Sequence, residues 1–182
     1  MKNALILHGT EDSPRSNWFK WLDMELEKRG YEVWLPKLPN SETPNMRKYV
    51  SFLTSGNFDY NTETILIGHS SGAVAIFGLL NKIETKIDSA YLVSAFKDNL
   101  DWTALDGLFE EPFNFAEIQD KAKKIIFVHS DTDPYGPLAD AKHLSEQVSG
   151  QLIVLEGQGH FNTGSNPKYT EFPELLQLIV EN

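Results

Sequence analysis

Short unbroken apolar runs recur along this chain, each followed by a stretch whose apolar residues return at helical spacing. This alternation restricts the fold more than any other feature. Ala4 to Leu7, Val33 to Leu35, Thr64 to Ile67, Ala90 to Val93, Ile125 to Val128 and Leu152 to Leu155 read as six strands. Between them, Trp18, Trp21, Leu22 and Leu26 share one helical face that ends near Gly30. Met46, Tyr49, Val50 and Leu53 share another, with Thr43-Pro44 as its expected cap and first-turn proline. Further helices are expected over Ala73 to Leu80, Leu138 to Val148 and Glu174 to Val180. The strands are continuously apolar rather than alternating, so both faces of the sheet must be covered. That pattern indicates an α/β fold with a doubly wound parallel sheet. The fourth connection, residues 96 to 122, is long and carries Trp102, Leu108, Phe109, Phe113 and Phe115 among acidic residues. It is expected to be either a partial lid or an irregular loop.

The 182 residues fit a single domain, 1–182, which at this length buries roughly 70% of the surface its unfolded chain exposes. Cysteine is absent, so disulfides and thiolate metal sites are excluded, and a reducing compartment suits the composition. The first residues hold no signal-like core and no run approaches the ~20 apolar residues of a membrane span, so a soluble, cytoplasmic protein is expected. A net charge of −10 without a basic cluster argues against nucleic-acid and anionic-membrane partners.

The third strand runs into Gly68-His69-Ser70-Ser71-Gly72, and a helix begins immediately after. A G-x-S-x-G pattern arises by chance in about one chain in twenty of this length, so its context must decide. Strand, tight turn and helix are the surroundings a nucleophile elbow requires, with glycine two residues either side of the serine because neighbouring backbone comes close. Ser70 is then the nucleophile, and the Ser71 N–H points at the same space. An ordinary turn with Ser71 as helix cap is the competing interpretation.

A serine hydroxyl needs a base to take its proton and a third group to orient that base. Beyond Ser70 lie three histidines. His143 falls within a helix and is expected to be solvated, while His129 ends the fifth strand ahead of the acid. His160, in Gly157-Gln158-Gly159-His160-Phe161 after the sixth strand, is the base in the required order. The acid comes from Ser130-Asp131-Thr132-Asp133-Pro134. Pro134 would hold Asp133 extended, whereas Asp131 suits an Asx turn, and spacing alone separates them by little. A metal site from His129, Asp131 and Asp133 lacks a second ligand cluster, so no metal and no cofactor are expected. A second oxyanion donor is expected after the first strand, at the Thr10 N–H, with Gly9 as the alternative and His8 as a structural neighbour.

GHSSG at 68–72, LVSA at 92–95, SDTDP at 130–134, GHF at 159–161 and the Trp18-Phe19-Lys20-Trp21 helix together resemble the small serine hydrolases of the retinoblastoma-binding protein nine family, compact α/β-hydrolases. The resemblance implies a triad of Ser70, Asp133 and His160, which favours Asp133 over Asp131. It also implies strand order 2-1-3-4-5-6 and an aromatic insert at Glu111 to Phe115. It does not bring a retinoblastoma-protein partner, since Leu-x-Cys-x-Glu needs a cysteine this chain lacks. The expected activity is hydrolysis of small esters, amides or thioesters through an acyl-enzyme, without a large cap. Trp18, His69, Phe113, Phe115 and Phe161 are expected to line a shallow pocket for a short acyl group. The alternative is a non-catalytic interaction module on the same scaffold.

Overall fold

A computed structural model describes residues 1–181. Six strands, β1 (Asn3–Leu7), β2 (Glu32–Trp34), β3 (Thr64–His69), β4 (Ile87–Val93), β5 (Ala122–His129) and β6 (Gln151–Val154), pair in parallel in the order 2-1-3-4-5-6. The doubly wound α/β class and the strand order implied by the resemblance are both observed. Helices α1 (Phe19–Glu27), α2 (Met46–Ser55), α3 (Ser71–Leu80), α4 (Phe115–Lys121), α5 (Leu138–Gln147) and α6 (Pro173–Glu181) connect the strands or follow them.

The continuous apolar runs are explained by the period of two along a strand. Leu5, Leu7, Leu66, Ala90, Leu92, Ile125 and Phe127 face one core with residues of α2, α3, α4 and α5. Their neighbours Ala4, Ile6, Ile65, Ile67, Tyr91, Val93, Ile126 and Val128 face a second core with residues of α1 and α6. Helix α3 sits so deep that nearly all of it is buried, which is why its sequence shows little amphipathic contrast.

One helix end differs from the sequence expectation and one matches it. The α2 cap is Asn45, whose side chain accepts the Lys48 N–H, and Thr43-Pro44 lie in the preceding turn. Asparagine accepts such a bond as readily as threonine and stands nearer the first apolar turn. Gly30 closes α1 as expected: in a left-handed conformation, φ +83°, it donates its N–H to the Glu27 carbonyl at 3.0 Å while the Tyr31 N–H reaches the Leu26 carbonyl at 3.2 Å. The long fourth connection is ordered: a 3-10 segment over Thr103–Leu108 precedes α4.

The chain runs from β1 toward one sheet edge and from β3 toward the other. The loops leaving their C-terminal ends therefore diverge, and a crevice opens between them. The loops after β5 and β6 close onto the same end of the sheet.

Candidate active site

Ser70 stands between β3 and α3 with φ 55° and ψ −125°, a conformation that L-residues avoid. The strain is held in place by close packing. Its own N–H bonds the Val93 carbonyl at 2.8 Å, and a Cβ at Gly68 would lie 2.6 Å from the Ala73 Cα. A Cβ at Gly72 would lie 2.5 Å from the His8 carbonyl oxygen. Only glycine lets the turn, the helix start and β1 approach so closely.

The loop after β1 crosses beside Ser70. The Thr10 hydroxyl donates to Ser71 Oγ at 2.8 Å, and Ser71, first in α3, has an N–H without an intrahelical acceptor. His8 is structural: its buried ring binds the Gly9 carbonyl through Nδ1 and accepts the Leu38 N–H on Nε2. Burial pushes its pKa down, and the neutral Nδ1–H tautomer satisfies both bonds.

At the far side, three successive side chains of the β5 loop receive three successive amides of the β6 loop. Asp131 accepts from Gly157 at 2.7 Å, Ser130 from Gln158 at 2.9 Å and Thr132 from Gly159 at 3.2 Å. This stitching delivers His160 to Asp133. His160 Nδ1–H lies 2.8 Å from Asp133 Oδ2 and 3.0 Å from Oδ1. Asp133 Oδ1 also accepts the Tyr135 and Gly136 N–H groups, and Oδ2 accepts the Ser94 hydroxyl at 2.8 Å. Burial by itself would raise the Asp133 pKa, but the His160 bond and the other donors hold it below the ordinary carboxylate value. Because the carboxylate holds the proton at Nδ1, Nε2 of His160 is free to act as a base.

The ring of His160 is enclosed on two sides. His69 lies with its centroid 4.8 Å away, and Tyr135 meets it edge-on at 4.8 Å. His69 donates its Nε2–H to the His160 carbonyl at 2.7 Å, and burial pushes its pKa down to about 3. His129 likewise donates Nε2–H to the Gly136 carbonyl, bracing the acid loop, while His143 is exposed on α5.

Ser70, His69 and His160 line a cavity of about 740 Å³ with Gly9 and Thr10. Its apolar walls are Phe96, Leu100, Trp102, Leu105, Pro134 and Tyr135, and Glu11, Asp12 and Asn162 complete the rim. The structure therefore brings together Ser70, Ser71, Thr10, His69, Asp133 and His160. The four expected aromatics are elsewhere. Trp18 and Phe161 are fully buried in the α1–α6 core, where the Trp18 indole N–H donates to the Phe161 carbonyl and both rings pack on Phe172. Phe113 and Phe115 pack on Phe77, under the sheet face covered by α3. Large apolar rings follow the dry side of an element, and here that side points away from the cavity.

The wall comes instead from the first part of the long connection and from the residues after the acid. Trp102 belongs to the connection expected as a partial lid and Ser94 to the LVSA motif, whereas Asp12 and Tyr135 are given a place at the site only by the structure. Tyr135 has a usable signal, since it stands two residues beyond Asp133 and so shares its loop.

A family model described as serine hydrolase matches residues 4–181. The YdeN protein of Bacillus subtilis (strain 168) is 27% identical over 163 residues, 88% of this chain and 86% of its own length. Serine hydrolase RBBP9 of Rattus norvegicus is 26% identical over 176 residues, covering 94% of this chain and 89% of that protein. The crystal structure of the ydeN gene product matches 100% of this chain and 98% of that one, with a TM-score of 0.92 at 25% identity. Est1E of Butyrivibrio proteoclasticus, in a structure with ferulic acid bound, shares the fold at a TM-score of 0.72 and 15% identity.

Proposed function

The chain belongs to the serine hydrolase family, and on that premise we propose that it cleaves small carboxylic esters, amides or thioesters through a covalent acyl-enzyme. Carboxylesters are the favoured class. The observation that carries this reading is the His160–Asp133 pair opening onto the cavity that Ser70 lines, with Ser70 on a strained turn.

Ser70 Oγ attacks the substrate carbonyl while His160 Nε2 takes its proton, and the carbonyl electrons move onto oxygen. The oxyanion is received by the Ser71 N–H and the Thr10 N–H; one aligned donor contributes about 3 kcal/mol to the transition state. Asp133 keeps the imidazole oriented and stabilises its cation. The tetrahedral intermediate expels the leaving group, which takes the proton from His160. Water then enters, gives its proton to His160 and attacks the acyl carbon, and Ser70 leaves with that proton.

Phe96, Leu100, Trp102 and Leu105 supply one wall of the cavity in place of a separate cap, and Pro134 and Tyr135 supply the other. None of these steps calls for a metal or an organic cofactor.

Labelling with a fluorophosphonate probe tests the reading, with intact mass counting adducts on the wild type, Ser70→Ala and His160→Ala. One adduct on the wild type and none on either variant is the expected result. An unlabelled, folded wild type would overturn it and favour a binding module on this scaffold.

A further inference from the structure

Asp12 and His69 lie beside the proposed nucleophile and have no part in the acyl-transfer steps. His69 donates Nε2–H to the His160 carbonyl, so its Nδ1 must carry a lone pair. That nitrogen has no hydrogen-bond partner, in a side chain only 1% exposed. The acidic group that faces it is another acceptor, Asp12 Oδ2, at 3.9 Å. The distance is too long for a hydrogen bond, and a carboxylate has no proton to give. Two acceptors thus converge with no donor between them. His69 Nδ1 is closed to solvent, so a donor entering the cavity meets Asp12, with the unpartnered lone pair behind the carboxylate adding to the pull for a donor.

The surroundings choose the kind of donor. Asp12 is 24% exposed and presents its carboxylate to the cavity, with only the Asn17 side-chain amide, at 3.1 Å, and Ser16 to satisfy it. Glu11 stands beside it on the rim, and no lysine or arginine lines this cavity among the described residues. The His160 imidazole on the same cavity is committed to Asp133. A cation would relieve the unbalanced charge, and a second anion would add to it. Across the cavity, Trp102 and Tyr135 are 44% and 62% exposed, offering aromatic faces to the apolar part of the same molecule.

We propose that Asp12, with His69 Nδ1 behind it, forms a recognition subsite for an ammonium group on the substrate, accepts a hydroxyl less well and rejects a carboxylate. The proposal deepens the hydrolase reading, on which it rests for the ligand's being a substrate. The subsite lies next to Ser70 and two residues beyond Thr10, so the donor it accepts sits close to the scissile carbonyl. Asp12 acts in specificity.

The test is direct binding, without turnover, of benzylammonium, benzyl alcohol and benzoate to the folded wild type, read by NMR titration. Benzylammonium should bind about tenfold more tightly than benzoate, with benzyl alcohol between them. In Asp12→Asn the ammonium preference should fall to within about twofold of the alcohol, while Glu11→Gln should keep most of it. Equal or tighter binding of benzoate to the wild type would overturn the proposal, and that comparison needs no variant to fold. An equal loss in Asp12→Asn and Glu11→Gln would also overturn it, because a diffuse field and not a subsite would then be responsible. Fluorophosphonate labelling reports separately on Ser70, so an inert serine and an absent subsite give different results.

Discussion

Ser94 donates its hydroxyl to Asp133 Oδ2 at 2.8 Å, on the oxygen that also lies 2.8 Å from His160 Nδ1. Ser94 is fully buried at the end of β4, in a left-handed backbone conformation with φ 52°, and its own N–H is tied to the Val128 carbonyl. The strand end therefore aims the hydroxyl at the carboxylate. Ser94→Ala should lower kcat/KM toward a neutral ester about tenfold, the weight of one buried hydrogen bond to a charged group, and leave KM within about twofold. Steady-state kinetics on folded variant protein measures both.

The two aspartates of the β5 loop should separate sharply. Asp133→Asn removes the acceptor that holds the His160 proton at Nδ1 and should reduce kcat by on the order of 10⁴-fold, as expected when the third member of a triad is neutralised. Asp131 accepts only the Gly157 N–H, so Asp131→Asn, which keeps an acceptor oxygen, should change kcat by less than about threefold. A comparable loss in both would mean that the loop, not the carboxylate, is what matters.

Gly72→Ala should destabilise the fold by about 3 kcal/mol, since the new methyl would meet the His8 and Leu7 carbonyl oxygens at 2.5 and 2.6 Å and backbone cannot move aside as a side chain can. Urea denaturation with an unchanged m-value checks this.

Acid should act on the two site carboxylates in opposite senses. Asp133 has its folded pKa below the unfolded value, so the stability it contributes is present above the unfolded pKa of about 4 and is lost as pH falls through the folded value. Asp12 is the reverse: burial raises its pKa over the lowering by Ser16, His160 and Asn17, so the native state binds more protons and stability falls as pH rises from about 4 through the folded value. Unfolding free energy measured from pH 3 to 7 should decline less on acidification in Asp133→Asn than in the wild type. In Asp12→Asn it should decline more steeply, because the opposing group is gone.

Phe161→Ala and Trp102→Ala should separate stability from specificity. Phe161 stacks on Phe172 and is fully buried, so its truncation should cost about 3–5 kcal/mol of stability. Trp102 is 44% exposed on the cavity wall, so its truncation should change stability by less than about 1 kcal/mol and raise KM for aromatic esters.

Much of the architecture is legible in the chain by itself. Strand and helix periods are local properties, and a run such as Thr64 to Ile67 with neither face polar already says that it lies between two layers. The turn at Ser70 is also local, because its glycines stand at fixed offsets from the serine. The order of serine, acid and histidine along the chain then selects His160 over His129, and helical periodicity sets His143 aside. What only the tertiary structure decided is which residues meet at the sheet's C-terminal end. Trp18 and Phe161 are 143 residues apart and became each other's core neighbours, while Trp102 and Tyr135, from two separate loops, became the cavity wall. Ser94 and His69 stand within motifs, LVSA and GHSSG, but nothing local tells that Ser94 meets Asp133 or that a His69 nitrogen faces Asp12. Their roles arise from distances between loops that leave different strands, and those distances are set by strand order, twist and the hydrogen bonds stitching residues 130–132 to 157–159, not by spacing in the sequence.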